Sequence, residues 1–167
     1  MKELKDLNDL LSHEVQVLYS GEQLLIAGLE RMIKKSTNLE LKALFQQHLD
    51  ETKTHIERLK QAAKLLNIDP DGDGNPSMKG LIAEGEKVMH KDTDPETLDA
   101  TLIAGAQKIE HYEISGYGTA AHYAERLGLT QVATLLRQTL DEEQATDTKL
   151  NELAKNKLNE KAQHAPA

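Results

Sequence analysis

An apolar side chain recurs at every seventh position of the first 35 residues, and this regularity limits the fold more than any other feature. Leu4, Leu11, Leu18, Leu25 and Met32 follow the spacing. Seven residues make almost two turns of an α-helix, so these side chains form one stripe along one face. The spacing predicts a helix over about residues 3–35 that buries this stripe against other helices.

A second helix is predicted directly after the first. Thr37 followed by Glu40 is a capping-box pattern, and apolar residues then continue with helical spacing to about Leu66. Residues 67–77 are rich in Gly, Pro, Asn and Asp and predict a loop. A short helix over about residues 78–89 follows it.

Two further long helices complete the chain. Asp94 before Pro95 is typical of a helix start, and this helix is expected to end near Gly128. Thr130 is expected to cap a last helix that runs to about Lys155. The short connections at 36–38 and 128–130 make each pair of long helices an antiparallel hairpin. We predict an all-α, antiparallel four-helix bundle with a short extra helix in the crossover between the hairpins.

Composition agrees with one helical domain. Aromatic residues make up 3% of the 167 residues, and charged residues make up 29%. We expect a single domain over residues 1–160. The stretch from Lys155 onward loses its apolar residues, so its end, 161–167, is predicted to be a frayed tail.

Charge and cysteine content exclude several function classes. The formal net charge of −8 opposes binding to a phosphate backbone, so nucleic acid is not expected as a partner. The absence of cysteine excludes disulfides and thiolate chemistry. The longest apolar run, near residues 24–29, is too short to span a bilayer, and we expect a cytoplasmic protein without a membrane partner.

The two hairpins resemble each other at a constant offset. Residues 49–51 and 140–142 both read Leu-Asp-Glu, an offset of 91 positions (142 − 51). Eight of the 26 pairs from 41/132 to 66/157 are identical, where about two are expected by chance. Glu22 and Glu113 share this offset. The pattern indicates an internal two-fold repeat with a pair of glutamates in each half.

These glutamates lie where apolar residues belong. Glu22 interrupts the leucine stripe, and Glu51, Glu113 and Glu142 share spacings with apolar neighbours, so we expect all four to point into the bundle. Burying one unpaired carboxylate costs several kcal/mol, and a domain has only about 5–15 kcal/mol of stability. Two divalent cations would neutralise four carboxylates. The sequence therefore predicts a two-metal centre.

Helix directions add two candidate ligands at one level of the bundle. The step from Glu113 back to Glu110 and the step from Glu51 forward to His55 run the same way along the bundle axis. Mixed carboxylate and imidazole ligands suit iron or manganese, with zinc possible. His48 is expected in the core or beside the ligands. Glu143 and Asp147 are interpreted as lying on a solvated helix edge, although inward positions remain open.

The loop Asp69–Asn75 carries part of a second metal-binding pattern. Its oxygen-bearing residues and Gly74 match the first half of a calcium-binding loop. Gly80 stands where that loop needs a bidentate glutamate, and Pro70 and Pro76 stiffen the backbone. A polar turn between the hairpins is the favoured interpretation.

Several segments carry a family resemblance. They are LYSGEQLL (18–25), QHLDETKTHIERL (47–59), MKGLIAEGE (78–86), LIAGAQKIEHYEISGYGTA (102–120) and LDEEQATDTKL (140–150). The sequence resembles the YciF-like branch of the ferritin-like superfamily, bacterial proteins linked to stress responses. The resemblance implies a ferritin-like bundle, a di-metal centre, a cytoplasmic location and a homodimer. It implies as ligands Glu22, Glu51, Glu110, Glu113 and Glu142.

One departure from the superfamily pattern limits what is expected of the centre. Glu-x-x-His is common on its second and fourth helices, but Thr54 and Ala145 stand where the histidines would follow Glu51 and Glu142. We therefore expect a carboxylate-rich centre and predict neither ferroxidase nor oxygenase activity. Two functions remain: a metal-binding protein of the stress response with redox or metal-handling chemistry, and a scaffold in which metal is absent or structural.

Overall fold

The computed structural model describes residues 3–89 and 93–163, which are almost entirely helical. The helices are α1 (Leu7–Lys35), α2 (Leu39–Leu66), α3 (Pro76–Met89), α4 (Pro95–Arg126), α5 (Thr130–Leu153) and α6 (Asn159–Gln163), with a π-helical turn at Ala154–Leu158. The hairpin of α1 and α2 packs on the hairpin of α4 and α5, with α3 against α1 and α4. The predicted four-helix bundle with a short crossover helix is confirmed. Within the described ranges, no helix has the length and apolar composition needed to cross a membrane.

The junction between α1 and α2 is held by Asp99, a buried residue of α4. Its carboxylate accepts hydrogen bonds from Ser36 Oγ (3.0 Å), Thr37 N (2.9 Å), Thr37 Oγ1 (2.7 Å) and Asn38 N (2.8 Å). Because the Thr37 hydroxyl donates to Asp99, the predicted capping role of Thr37 is wrong. Asn38 caps α2 instead, and its side chain accepts from Leu41 N at 3.0 Å.

The second hairpin begins and turns mostly as predicted. Asp94 caps α4 and accepts a hydrogen bond from Thr97 N at 3.0 Å. Gly128 has a φ of +73°, in the left-handed region that glycine adopts without strain, and ends the helix. The predicted cap at Thr130 is wrong, because Thr130 is already the first residue of α5 and Leu129 precedes it without a side-chain cap.

Helical structure continues past Lys155 to Gln163, so residues 161–163 of the predicted tail are helical. Ala154–Leu158 form a π-helical turn, and α6 continues the helix. Leu158 is only 1% exposed. Residues 164–167 of the predicted tail lie outside the described ranges.

In α1, α2 and α5 a series of buried positions recurs with alternating steps of four and three residues, and we call each series a ladder and each position a rung. The ladders are 11, 15, 18, 22, 25, 29 and 32 in α1; 41, 45, 48, 52, 55, 59 and 62 in α2; and 132, 136, 139, 143, 146, 150 and 153 in α5. The fourth rungs are Glu22, Thr52 and Glu143, and Glu113 holds the matching place after 102, 106 and 109 in α4. The apolar core is therefore divided into two clusters with a polar level between them.

Candidate metal centre

Six ionisable side chains occupy the polar level of the bundle. All four long helices contribute, and no member is more than 2% exposed. The members are the carboxylates of Glu22, Glu110, Glu113 and Glu143 and the imidazoles of His48 and His55. Of the residues predicted as ligands, Glu22, His55, Glu110 and Glu113 are members of this set, whereas Glu51 and Glu142 are only partly buried and are not members.

The ligand atoms divide into two overlapping groups. His48, Glu110, Glu113 and Glu143 form one, which we term the His48 group. Glu22, His55 and Glu143 form the other, the His55 group. Within each group the potential ligand atoms lie within 4.8 Å of one another. Glu143 belongs to both groups and lies between them.

Many polar atoms of this level have no partner. Among the described residues, nine buried side-chain nitrogen and oxygen atoms make no hydrogen bond, and all nine belong to the six members or to Thr52. His48 Nε2 lies 3.4 Å from Glu110 Oε1, and its Nδ1 lies 3.8 Å from Glu143 Oε2. His55 Nδ1 lies 3.0 Å from Glu143 Oε1 and 3.2 Å from Glu22 Oε1, off the direction in which the ring would donate.

Burial perturbs the proton affinity of these groups. Burial raises the pKa of Glu110 and of Glu113 well above the ordinary value, and neighbouring carboxylates raise both further. Burial also raises the pKa of Glu22, against the effect of His55. Loss of hydration lowers the pKa of His48 to about 4. Burial also acts to lower the pKa of His55, but Glu143 and Glu22 outweigh it and raise the pKa to about 10.

Tyr117 borders the centre with its hydroxyl buried. Its Oη donates a hydrogen bond to Glu22 Oε1 at 2.5 Å, and its ring meets the edge of the His55 ring with centroids 6.3 Å apart. Burial raises the pKa of Tyr117 well above the ordinary value, as does the charge of Glu22. The hydroxyl therefore acts as a donor that holds Glu22 in place.

Glu51 and Glu142 lie outside the buried cluster, so the prediction that they point into the bundle is wrong. Glu51 accepts hydrogen bonds from Gln47 (2.7 Å) and Thr146 (3.4 Å) on the seam between α2 and α5. Glu142, whose side chain is 34% exposed, pairs with Arg58 on the same seam. The reason is helical register: the ladders place the next residue, 52 or 143, at the inward position, and one residue rotates a side chain by about 100°.

The same register explains two further differences. Glu143 is fully buried, so its interpretation as a solvated edge residue is wrong, whereas Asp147 is partly exposed and accepts from Gln107 at 3.1 Å. The sequence predicts His48 in the core or beside the ligands, but the structure places it among the potential ligands. His55 and Glu110, expected side by side, belong to different groups.

In the corrected register the Glu-x-x-His pattern is divided between the helices. Thr52-x-x-His55 on α2 retains the histidine, and Glu143-x-x-Thr146 on α5 retains the glutamate. The offset is 91 in both pairs (143 − 52 and 146 − 55), as it is for Glu22 and Glu113. The repeat is therefore present at the centre, with each half carrying a different part of the motif.

Polar contacts hold the loop Asp69–Asn75, one within the loop and others between Asn75 and the helices α1 and α3. Asp71 N donates to Asp69 Oδ1 at 3.0 Å. Asn75 is buried and turned inward, where its Oδ1 accepts from Met78 N (2.8 Å) and its Nδ2 donates to Val17 O (3.0 Å). These contacts fit the favoured interpretation of a polar turn that leads into α3.

The donor set fits a pair of divalent ions. Carboxylate oxygens and imidazole nitrogens are the ligands that iron, manganese and zinc share. The orphaned atoms converge from four helices, and Glu143 has both oxygens without a hydrogen bond. A buried polar atom without a partner costs about 1–3 kcal/mol, so nine such atoms in one level call for compensation.

The fold and this level place the chain in the ferritin-like class of helical bundles. A family profile described as a domain of unknown function, DUF892, matches residues 6–163, and the chain belongs to this family. Protein YciF from Escherichia coli K12 is 41% identical over 162 residues, which cover 96% of this chain and 98% of that protein.

Solved structures agree with this assignment. The crystal structure of the E. coli stress protein YciF matches with a TM-score of 0.89, covering 93% of this chain and 99% of that one. YcfI from Rhodopseudomonas palustris, proposed to be a structural protein, is 39% identical with a TM-score of 0.86 and covers 90% of this chain and 96% of that one. A Xanthomonas campestris protein shares the fold at 21% identity, with a TM-score of 0.71 over 90% of this chain and 92% of that one.

Proposed function

We propose that this protein binds two divalent metal ions in the polar level of the bundle and acts in a bacterial stress response. The observation that carries the proposal is the set of orphaned buried atoms around Glu143, which is shared by the two ligand groups. The proposed roles follow from the groups. Glu143 lies between the two ions, the His55 group holds one ion, and the rest of the His48 group holds the other.

Iron or manganese is the proposed metal, with zinc as a possible substitute, because carboxylates outnumber imidazoles four to two among the six members. Such ions supply redox or Lewis-acid chemistry when bound. The chain itself excludes water with apolar clusters on both sides of the level and fixes Glu22 through Tyr117. The stress role is supported by the name of the E. coli relative as a stress protein.

Metal analysis of protein purified without a chelating column tests the proposal. We expect up to two ions per chain, and manganese titration of the stripped protein should show two binding events. Glu143→Gln should weaken both events, whereas Glu51→Gln, on the seam outside the cluster, should keep both. Wild-type protein that binds no divalent ion would refute the proposal. Retention of both events in Glu143→Gln would refute the shared ligand.

A structural role is the second candidate, because a relative with 39% identity is proposed to be a structural protein. In that case the ions would stabilise the bundle without reacting. Oxygen or peroxide consumption by the iron-loaded protein separates the two functions. The resemblance also supports a homodimer, which light scattering of the purified protein would detect.

A further inference from the structure

A charged pair on the seam between α2 and α5 contacts the buried centre from outside. Arg58 binds both carboxylate oxygens of Glu142: Nη2 donates to Oε1 at 2.9 Å, and Nη1 donates to Oε2. Nη1 also donates to Thr139 Oγ1 at 3.2 Å. A bidentate pair of this kind fixes the orientation of the carboxylate as well as its position. Glu142 therefore has a defined orientation, although its side chain is 34% exposed.

The held carboxylate determines which way the His55 ring faces. His55 Nε2 lies 2.9 Å from Glu142 Oε2, with hydrogen-bond geometry. The ring thus directs Nε2 outward and Nδ1 inward, toward Glu143 at 3.0 Å and Glu22 at 3.2 Å. A carboxylate that accepts from one ring nitrogen leaves the other as the metal-binding nitrogen and makes it a stronger donor.

The internal repeat contains a weaker counterpart of this arrangement. The mates of His55 and Glu142 at the 91-residue offset (55 + 91 and 142 − 91) are Thr146 and Glu51, and Thr146 Oγ1 donates to Glu51 Oε2 at 3.4 Å. The outer partner of Glu51 is the neutral amide of Gln47, at 2.7 Å. In both pairs a glutamate on the seam contacts a residue of the other repeat. The pair that contains the imidazole is the one whose glutamate has a charged partner, Arg58.

We propose that Arg58 and Glu142 are positioning residues that present His55 to the centre through Nδ1 and so raise the affinity of the His55 group for a divalent ion. This inference rests on the proposed two-metal function. Glu142 belongs to neither ligand group, and the guanidinium of Arg58 offers donors only. Loss of a carboxylate that supports a metal-binding histidine typically weakens binding by about 10–100-fold, so we expect this loss in Glu142→Ala at one site of the two.

Nuclear magnetic resonance of the metal-stripped protein tests the contact without any metal. The chain has seven histidines, and comparison with His55→Gln assigns the His55 signals. In wild-type protein we expect a slowly exchanging proton on Nε2. Glu142→Ala should lose it, and Glu51→Ala, the mate in the repeat, should keep it. A signal that is absent from wild-type protein or unchanged in Glu142→Ala would overturn the inference.

Zinc titration tests the consequence for binding. Glu142→Ala should weaken one of two binding events about 10–100-fold. Glu142→Gln should recover most of the affinity, because its amide oxygen still accepts from Nε2, and the Nε2 proton signal should return with it. Glu51→Ala should match the wild type. Two unchanged events in Glu142→Ala would overturn the positioning role while the two-metal function stands. A wild type that binds no ion would instead refute the two-metal function and, with it, the effect on affinity.

Discussion

Replacing Glu113 by Gln should stabilise the metal-free protein. Glu113 is 1% exposed, and its Oε2 has no hydrogen-bond partner. Burial raises its pKa well above the ordinary value of 4.5, and the charges of Glu22, Glu143 and Glu110 raise it further. At neutral pH the unfolded chain carries this residue ionised. Folding must therefore either bind a proton or bury a charge, and both reduce the free energy of unfolding.

The sign of the pH dependence follows from proton linkage. The folded state binds more protons through Glu113 than the unfolded state, so the free energy of unfolding falls as the pH rises above 4.5. Glutamine keeps the shape, does not titrate, and can donate to a neighbouring carboxylate. Relief of one orphaned buried group is worth about 1–3 kcal/mol. For a domain of this size each kcal/mol moves Tm by about 2–4 °C, which gives a rise of roughly 2–12 °C.

Thermal unfolding in the presence of a chelator, followed by circular dichroism from pH 4.5 to pH 8, measures this effect. The Tm difference between Glu113→Gln and the wild type should be near zero at the acid end and grow toward neutral pH. Glu51→Gln is the matched control, since Glu51 lies on the seam with its own partners, and should shift Tm little at any pH. A constant difference across the pH range, or a lower Tm for Glu113→Gln at neutral pH, would contradict the reasoning.

Three further predictions concern stability. Asp99→Ala should lower the free energy of unfolding by roughly 2–4 kcal/mol in urea, because four hydrogen bonds at the α1–α2 junction are lost. Asp94→Ala, at a half-buried cap with one hydrogen bond, should lower it by about 1 kcal/mol. Manganese at a hundredfold excess over Kd should add about 2.7 kcal/mol per occupied site, visible as a Tm increase that a chelator reverses. Tyr117→Phe should lower the metal-free Tm by a few degrees, since it removes the donor to buried Glu22; an unchanged Tm would show that this bond contributes nothing.

The helices could be read from the sequence because their signals are local. The heptad stripe of α1 and the Asp94–Pro95 start of α4 depend on neighbouring residues alone. The start of α4 is confirmed, and the stripe is confirmed from Leu11 to Met32, whereas Leu4 lies before α1 and is 39% exposed. The Asp99 junction depends on an interaction across 61–63 positions, so the sequence around Thr37 could not show that its hydroxyl is used elsewhere.

The sequence predicts an inward glutamate on each long helix, but in α2 and α5 the inward position lies one residue after the predicted glutamate. The identical Leu-Asp-Glu triplets favour Glu51 and Glu142 as inward residues, whereas the residues at the inward positions, Thr52 and Glu143, differ between the repeats. Counting the four–three ladder from Leu41 and from Val132 would have placed the polar rung correctly. Glu142 and Glu143 are adjacent residues of the same type, so their immediate neighbours alone do not show which of them points inward.

The π-helical turn at Ala154–Leu158 contains one residue more than the corresponding stretch of α-helix. The α5 ladder passes through 143, 146, 150 and 153, and a regular helix would next bury position 157, which is a lysine. The wider turn delays the ladder by one position, so Leu158 enters the core and Lys157 pairs with Glu40 at 2.6 Å. If the chain had one residue fewer in this turn, a regular α-helix would place the same leucine in the core. Length differences among relatives at this point can therefore be absorbed locally, far from the polar level.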